Sequence, residues 1–448
     1  MPNIHARSAL LPEGQRANVR VTVVDGVIVD VTEDAAPHSA DRRVGMLVPA
    51  PGNVHSHAFQ RAMAGFAERR GPGQDSFWSW RETMYRFALS MSPDQLEAVA
   101  AQLYVEMLEA GFGRVGEFHY LHHAPDGRPY ADIGELAGRI AAAAHETGIG
   151  LTLLPVFYAR SGFGGGAPAE GQRRFVSTLE TFEALLDACR TAVRDCPGGV
   201  VGLAPHSLRA VTPEDLSAVL PLAGDGPIHI HVAEQVKEVE DCLAWSGARP
   251  VDWLLDHADV DARWCLIHAT HMTETEAARL AATGAVAGLC PITEANLGDG
   301  IFSATFLSSG GAYAVGSDSN VSISVPGELR QLEYSQRLAL RARNVLARPG
   351  GSTGAALVAG AVAGAGTALG APGGIAPGHA ADLVSLDLTR VPYLPDETAL
   401  DHWIFADGIG VEHLWAGGRL VVESGRHPQR DAIRTRFERT MSELIAAA

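Results

Sequence analysis

Six side chains in this sequence are of the kinds that bind a divalent ion and move protons. They are His55 and His57 in "NVHSH", His231 and Glu234 in "HIHVAEQ", His268 in "CLIHATH", and Asp318 in "VGSDSN". In a strand, residues i and i+2 share a face, so His55 and His57 point the same way. With 18 His in 448 residues, one such pair means little. The same kinds of residue at the ends of four apolar runs mean more. His55, His57 and His231 would supply nitrogen and Asp318 oxygen, a set suited to Zn²⁺ or a similar divalent ion. An ion held this way acidifies its bound water toward neutrality. Glu234 lies three residues past His231, beyond the strand end, where it can shuttle a proton. His268 can hold the water or polarise the developing tetrahedral centre. Asp318 can also take a proton as the product forms. His229 is one layer deeper than His231 and reads as a satisfied core histidine. His271, His122 and His123 read as loop or supporting residues.

These side chains need elements that deliver them to one place. Eight short apolar runs, from "GMLVPAPGNVHSH" to "GAYAVGSDSN", end in polar residues and alternate with amphipathic stretches. Helix starts are marked by Ser92-Pro93 with Gln95, by "TPEDL" from Thr212, and by Thr273 with Glu276, the last helix ending at Gly284. This alternation predicts a (β/α)8 TIM barrel, whose catalytic groups sit at the C-terminal ends of its strands. The β-branched hairpin "VRVTVVDGVIVD" and the late strands "AADLVSLDL" and "VEHLWAGGRLVVESG" predict a small discontinuous, β-sandwich-like domain built from both chain ends. The expected division is 1–47 and 373–430 for the small domain, 48–372 for the barrel, and 431–448 for a C-terminal helix.

The formal net charge is −17, and Lys237 is the only lysine. With no basic stripe, neither a nucleic acid nor an anionic membrane is an expected partner. The five cysteines, Cys189, Cys196, Cys242, Cys265 and Cys290, contain no CxxC pair. They fit a reducing compartment and no cysteine metal site. The N-terminal residues lack a signal-peptide pattern, so a cytoplasmic location is expected. The Ala/Gly-rich run from Gly354 reads as a packed helix, not a membrane span.

The motifs "HSH", "HVAE", "HATH" and "SD" together resemble the amidohydrolase superfamily, over essentially the whole chain. Members with two metals often carry a bridging carboxylated lysine on strand four. The run "GGVVGLAPHSLR" has none, which points to a single-metal site. Within the superfamily, "GNVHSHAFQRAMAG", "FWSWRETMYRFA", "EFHYLHH", "PHSLRAV" and "GSDSNVSIS" resemble the deiminases that act on N-formimino-L-glutamate. The resemblance implies hydrolysis to N-formyl-L-glutamate and ammonia, with substrate contacts at Gln60, Arg81, Tyr120, His206 and Arg209. Arg81 is expected in a loop. Some members have histidine at the position of Asn320, whose role here stays open. Two arginines suit a dianionic amidine substrate, since a guanidinium binds a carboxylate bidentately. The alternatives are formimino-aspartate, one methylene shorter, or a purine-like ring. The expected partners are this small dianion and a second copy of the chain.

Overall fold

The computed structural model describes residues 3–70 and 77–447. The N-terminal segment forms β1 (Ile4–Leu11), β2 (Gly14–Val24), β3 (Val27–Thr32) and β4 (Arg42–Pro49). The β2–β3 hairpin turns on Asp25 and Gly26, both at positive φ, the geometry that a two-residue turn needs to match strand twist.

The barrel strands follow. They are β5 (Gly52–Ser56), β6 (Arg114–His119), β7 (Gly150–Phe157), β8 (Val200–Val201), β9 (Ala204–Pro205), β10 (Ile228–Val232), β11 (Trp264–His268), β12 (Val286–Leu289) and β13 (Ala312–Val315). The fourth barrel strand is thus broken into β8 and β9. Among the described residues these strands pair in parallel as two arcs, β5 to β9 and β10 to β13. Parallel bridges Leu203–Ile228 and Ser207–His231 join the arcs on one side, and Ser56–Asp318 closes the ring on the other. Closure demands a near backbone contact. A Cβ on Gly316 would lie 2.7 Å from the His55 nitrogen, so only glycine lets the last strand meet the first.

The chain returns through β14 (Leu383–Asp387), β15 (Gly410–Ala416) and β16 (Arg419–Glu423). The sandwich-like domain expected from the two chain ends is realised as one continuous sheet, ordered β16-β15-β14-β4-β1-β2-β3. β4 links the two parts of the molecule. Met46 and Val48 join the barrel core, while Leu47 packs with Ile4, Val21, Leu383 and Trp415 inside the sheet domain. Side-chain alternation along one strand therefore serves two cores.

The expected helix starts at Ser92, Thr212 and Thr273 are all capping boxes. The Ala/Gly-rich run forms the helix Thr353–Ala368. Its glycines permit contact rather than flexibility, since a Cβ on Gly364 would meet the Tyr313 carbonyl oxygen at 2.0 Å. Among the described residues, no helix is long and apolar enough to cross a membrane.

Candidate active site

His55, His57, His231, His268 and Asp318 converge at the C-terminal mouth of the barrel, and all are buried. Backbone carbonyls orient two of the imidazoles. His57 Nδ1 lies 2.9 Å from the Phe118 oxygen and His231 Nδ1 2.9 Å from the His206 oxygen. Donating Nδ1–H there turns each Nε2 lone pair inward. His55 Nε2 and His231 Nε2 stand 3.0 Å apart, and Asp318 Oδ1 lies 3.4 Å from His55 Nε2 and 3.3 Å from His57 Nε2. Burial and its histidine neighbours push His55 down to about 3, and they lower His57 and His231 as well. The imidazoles are therefore neutral, and those of His55 and His57 crowd onto the Asp318 carboxylate. A cation resolves that arrangement. Ligand atoms about 2.0–2.1 Å from a tetrahedral ion sit about 3.3 Å from one another, close to the separations here.

The backbone carries strain where this site forms. Ala233, His268, Ala269, Asp318 and Asn320 all have positive φ without being glycine, at the ends of the fifth, sixth and eighth barrel strands. Such conformations cost about 1–3 kcal/mol each and persist where surrounding structure holds them. Asn320 is one such brace. Its amide donates to the His57 carbonyl oxygen at 3.0 Å, and its Oδ1 accepts from Ser317 Oγ at 2.6 Å, locking the end of the last strand to that of the first.

Glu234 sits just past β10. Its carboxylate lies 3.8 Å from His268 Nε2 and 3.8 Å from Arg209 Nη2. Burial raises its proton affinity against the pull of those two cations. Burial pulls His268 down, but Glu234, Glu294 and Asp318 outweigh it and hold the imidazole at about 10. Glu234 and His268 thus form a carboxylate–imidazole pair beside the ligand cluster, able to hold and pass a proton. His229 turns outward and bonds the Ala368 carbonyl oxygen at 2.7 Å. His122 and His123 bond the carbonyl oxygens of Val156 and Val176, and half-buried His271 lies outside the ligand cluster.

A cavity of about 220 Å³ opens onto this cluster and is also lined by Gln60, Arg81, Tyr120, His206 and Arg209. Gln60 donates to the Tyr120 hydroxyl at 2.8 Å. Arg209 is largely buried, its side chain 15% exposed, with no protein partner for its Nε among the described residues. Burial disfavours its charge, but Glu238 and Glu234 maintain it. A buried guanidinium with a spare donor favours a carboxylate ligand. Arg81 corrects the expectation of a loop. It lies in the helix Phe77–Ser90, whose Met84, Phe87 and Ala88 are buried at helical spacing. The cavity is also lined by Trp80, Tyr85, Tyr158, Phe163 and Phe175, more aromatic surface than the two arginines and one tyrosine of the sequence reading.

Sequence reasoning also missed the supports. Glu238 accepts from the backbone N–H groups of Ala233 and Glu234 at 3.2 and 3.1 Å, and Glu294 faces His268 Nδ1 at 3.4 Å. The spacing of Glu238 four residues after Glu234 was the available signal. Cys290 lies near His268 and Asp318. Burial pushes its thiol well up, leaving a poor ligand beside the three imidazoles.

A parallel barrel with ligand-type histidines and a carboxylate at its strand ends has the donor set for a divalent ion. Residues 46–421 match the model of the amidohydrolase family, and residues 1–45 match that of the formimidoylglutamate deiminase HutF N-terminal domain. The chain is 51% identical to the formimidoylglutamate deiminase of Pseudomonas aeruginosa, over 99% of this chain and 100% of that one. It is 27% identical to a 5-methylthioadenosine/S-adenosylhomocysteine deaminase of Natronomonas pharaonis, over 96% and 95% of the two chains. A crystal structure of an amidohydrolase from Brucella melitensis superposes with a TM-score of 0.98 at 58% identity, covering 99% of this chain and 100% of that one. The chain belongs to the amidohydrolase family and, within it, to the formimidoylglutamate deiminases.

Proposed function

We propose that this enzyme hydrolyses N-formimino-L-glutamate to N-formyl-L-glutamate and ammonia, a step of histidine degradation. The observation that carries the reading is one cavity that brings the proton-moving groups Glu234 and His268 together with the largely buried guanidinium of Arg209. We assign His55, His57, His231 and Asp318 as holders of one divalent ion, Zn²⁺ first. When bound, that ion would acidify water and polarise the reacting centre. Arg209 and Arg81 take the substrate carboxylates, and Gln60, Tyr120 and His206 orient the chain between them. Glu234 accepts a proton from the attacking water and delivers it to the imino nitrogen, so nitrogen leaves as ammonia rather than as an amide anion. His268 stabilises the tetrahedral centre with its N–H. Asp318 takes the second proton of the water as the new carbonyl forms and passes it toward the departing amine.

The one-methylene distinction from formimino-aspartate, and the purine alternative, are settled by ammonia release from formimino-glutamate, formimino-aspartate, guanine and adenosine, paired with metal analysis. Formimino-glutamate should give the highest kcat/KM. Faster release from adenosine or guanine would overturn the reading. We also propose a cytoplasmic homodimer. All five cysteines are free, as in a reducing compartment, and Leu338 and Leu340 are exposed at 78% and 55%, as at an uncovered interface. Sedimentation of the protein at the mass of one chain would remove the dimer.

A further inference from the structure

The mechanism above leaves one buried polar pair of the cavity without a task. Tyr158 follows the last residue of β7, the same strand-end position that carries the other site residues. Its backbone is held by a hydrogen bond from the Ser177 N–H to the Tyr158 carbonyl oxygen at 2.9 Å. The phenol is 9% exposed and packs edge-on to His206, with ring centroids 4.7 Å apart. Its hydroxyl accepts a hydrogen bond from Gln172 Nε2 at 2.7 Å. The amide of Gln172 cannot turn over, because its Oε1 accepts from the Ala169 N–H at 2.7 Å. Backbone therefore fixes Gln172, and Gln172 fixes the polarity of Tyr158. The phenol oxygen is an acceptor on that side, so its own proton must point elsewhere. The cavity is the open direction for it. Tyr158 and Gln172 both line the cavity with Arg209 and Arg81.

We propose that Tyr158 is a neutral hydrogen-bond donor to one of the two substrate carboxylates, and that Gln172 is a positioning residue that sets the direction of that bond. The inference rests on the dianionic substrate assigned above. A phenol in one cavity with two guanidinium groups adds a directional contact without adding charge, and a hydrogen bond to an ionised acceptor is stronger than a neutral one. Burial raises the Tyr158 hydroxyl to about 12, so the proton stays on oxygen throughout the working pH range.

The test is Tyr158→Phe, which removes one oxygen. With formimino-glutamate, KM should rise about ten- to a hundredfold, the range for a hydrogen bond to a charged group, while kcat, metal content and Tm stay near wild type. The penalty should vanish with one of two analogues, the side-chain amide or the compound lacking the α-carboxylate, and persist with the other. Gln172→Glu keeps the length and can still cap Ala169, but it offers an acceptor to Tyr158. The phenol proton should turn toward it, and KM should rise at least as far. An unchanged KM in Tyr158→Phe, an equal penalty with both analogues, or an unchanged KM in Gln172→Glu would each overturn the proposal. Calorimetric binding of glutarate separates this from the functional reading. Weaker binding to Tyr158→Phe than to wild type supports the donor even if wild type released no ammonia from formimino-glutamate, and equal binding removes it.

Discussion

The two ends of the cavity are built differently. The floor is made of strand ends. His55, His57, His231, His268 and Asp318 follow or close barrel strands, and the backbone that presents them is strained and braced. The wall to which we assign the substrate carboxylates is made of a helix and loops, with Arg81 on Phe77–Ser90, Gln172 in a short 3-10 turn, and Arg209 beyond β9. Hydrolytic chemistry needs positions held to fractions of an ångström, and rigid elements supply that. Recognition of one dianion among many can be tuned on loops, where insertions and substitutions disturb the barrel least. The floor should therefore respond to mutation through kcat and metal content, and the wall through KM.

The sharpest break is His231→Ala. Removing one of three converging imidazoles should leave a folded protein without tightly held metal, and activity should fall below about 10⁻⁴ of wild type, as for loss of a whole catalytic unit. Elemental analysis and ammonia release check it together. Next is Glu234→Gln, which keeps size and hydrogen bonding but cannot carry the proton. Metal and substrate should still bind while kcat falls by about two to four orders of magnitude. Near-normal turnover, or purification of a folded protein without metal, would remove the shuttle role.

On the wall, Arg209→Met should lower kcat/KM by about two orders of magnitude, mostly through KM, because a buried carboxylate loses its partner. Steady-state kinetics with metal content and Tm as controls decides it. The smallest effect lies beneath the floor, behind the His55–His57 strand end. Glu117 is buried against the Ala58 N–H and the Tyr104 hydroxyl, and burial raises it from an ordinary value near 4.5 to about 8. A raised value means that the folded state holds the proton more tightly. The stability it contributes is complete below about pH 4.5 and is lost as pH rises through about 8. Tm should fall less between pH 5 and pH 8 in Glu117→Gln than in wild type, with kcat little changed. Identical Tm-versus-pH curves would contradict this.

The same division explains what the sequence could tell. Strands expose their chemistry through local rules, since "NVHSH" fixes two imidazoles on one face by period alone. Capping boxes at Ser92, Thr212 and Thr273 were legible for the same reason. The helix of Arg81 was harder to read because its partners, the 3-10 turn Ala58–Met63 and the helix Arg430–Ala447, are set by tertiary packing. Tyr158 and Gln172 are 14 residues apart, and no periodicity links a strand-end phenol to the amide of a later turn. Glu294 meets His268 across 26 residues. Contacts of that kind are set by tertiary closure of the barrel, which a local pattern does not encode.

The central claim is that one ion at the strand ends serves the whole reaction. Metal titration of chelated protein measures it most directly, with ammonia release from formimino-glutamate as the readout. Activity should rise linearly with added Zn²⁺ and reach a plateau at one equivalent per chain. A plateau at two equivalents, or full activity before any metal is added, would contradict the account.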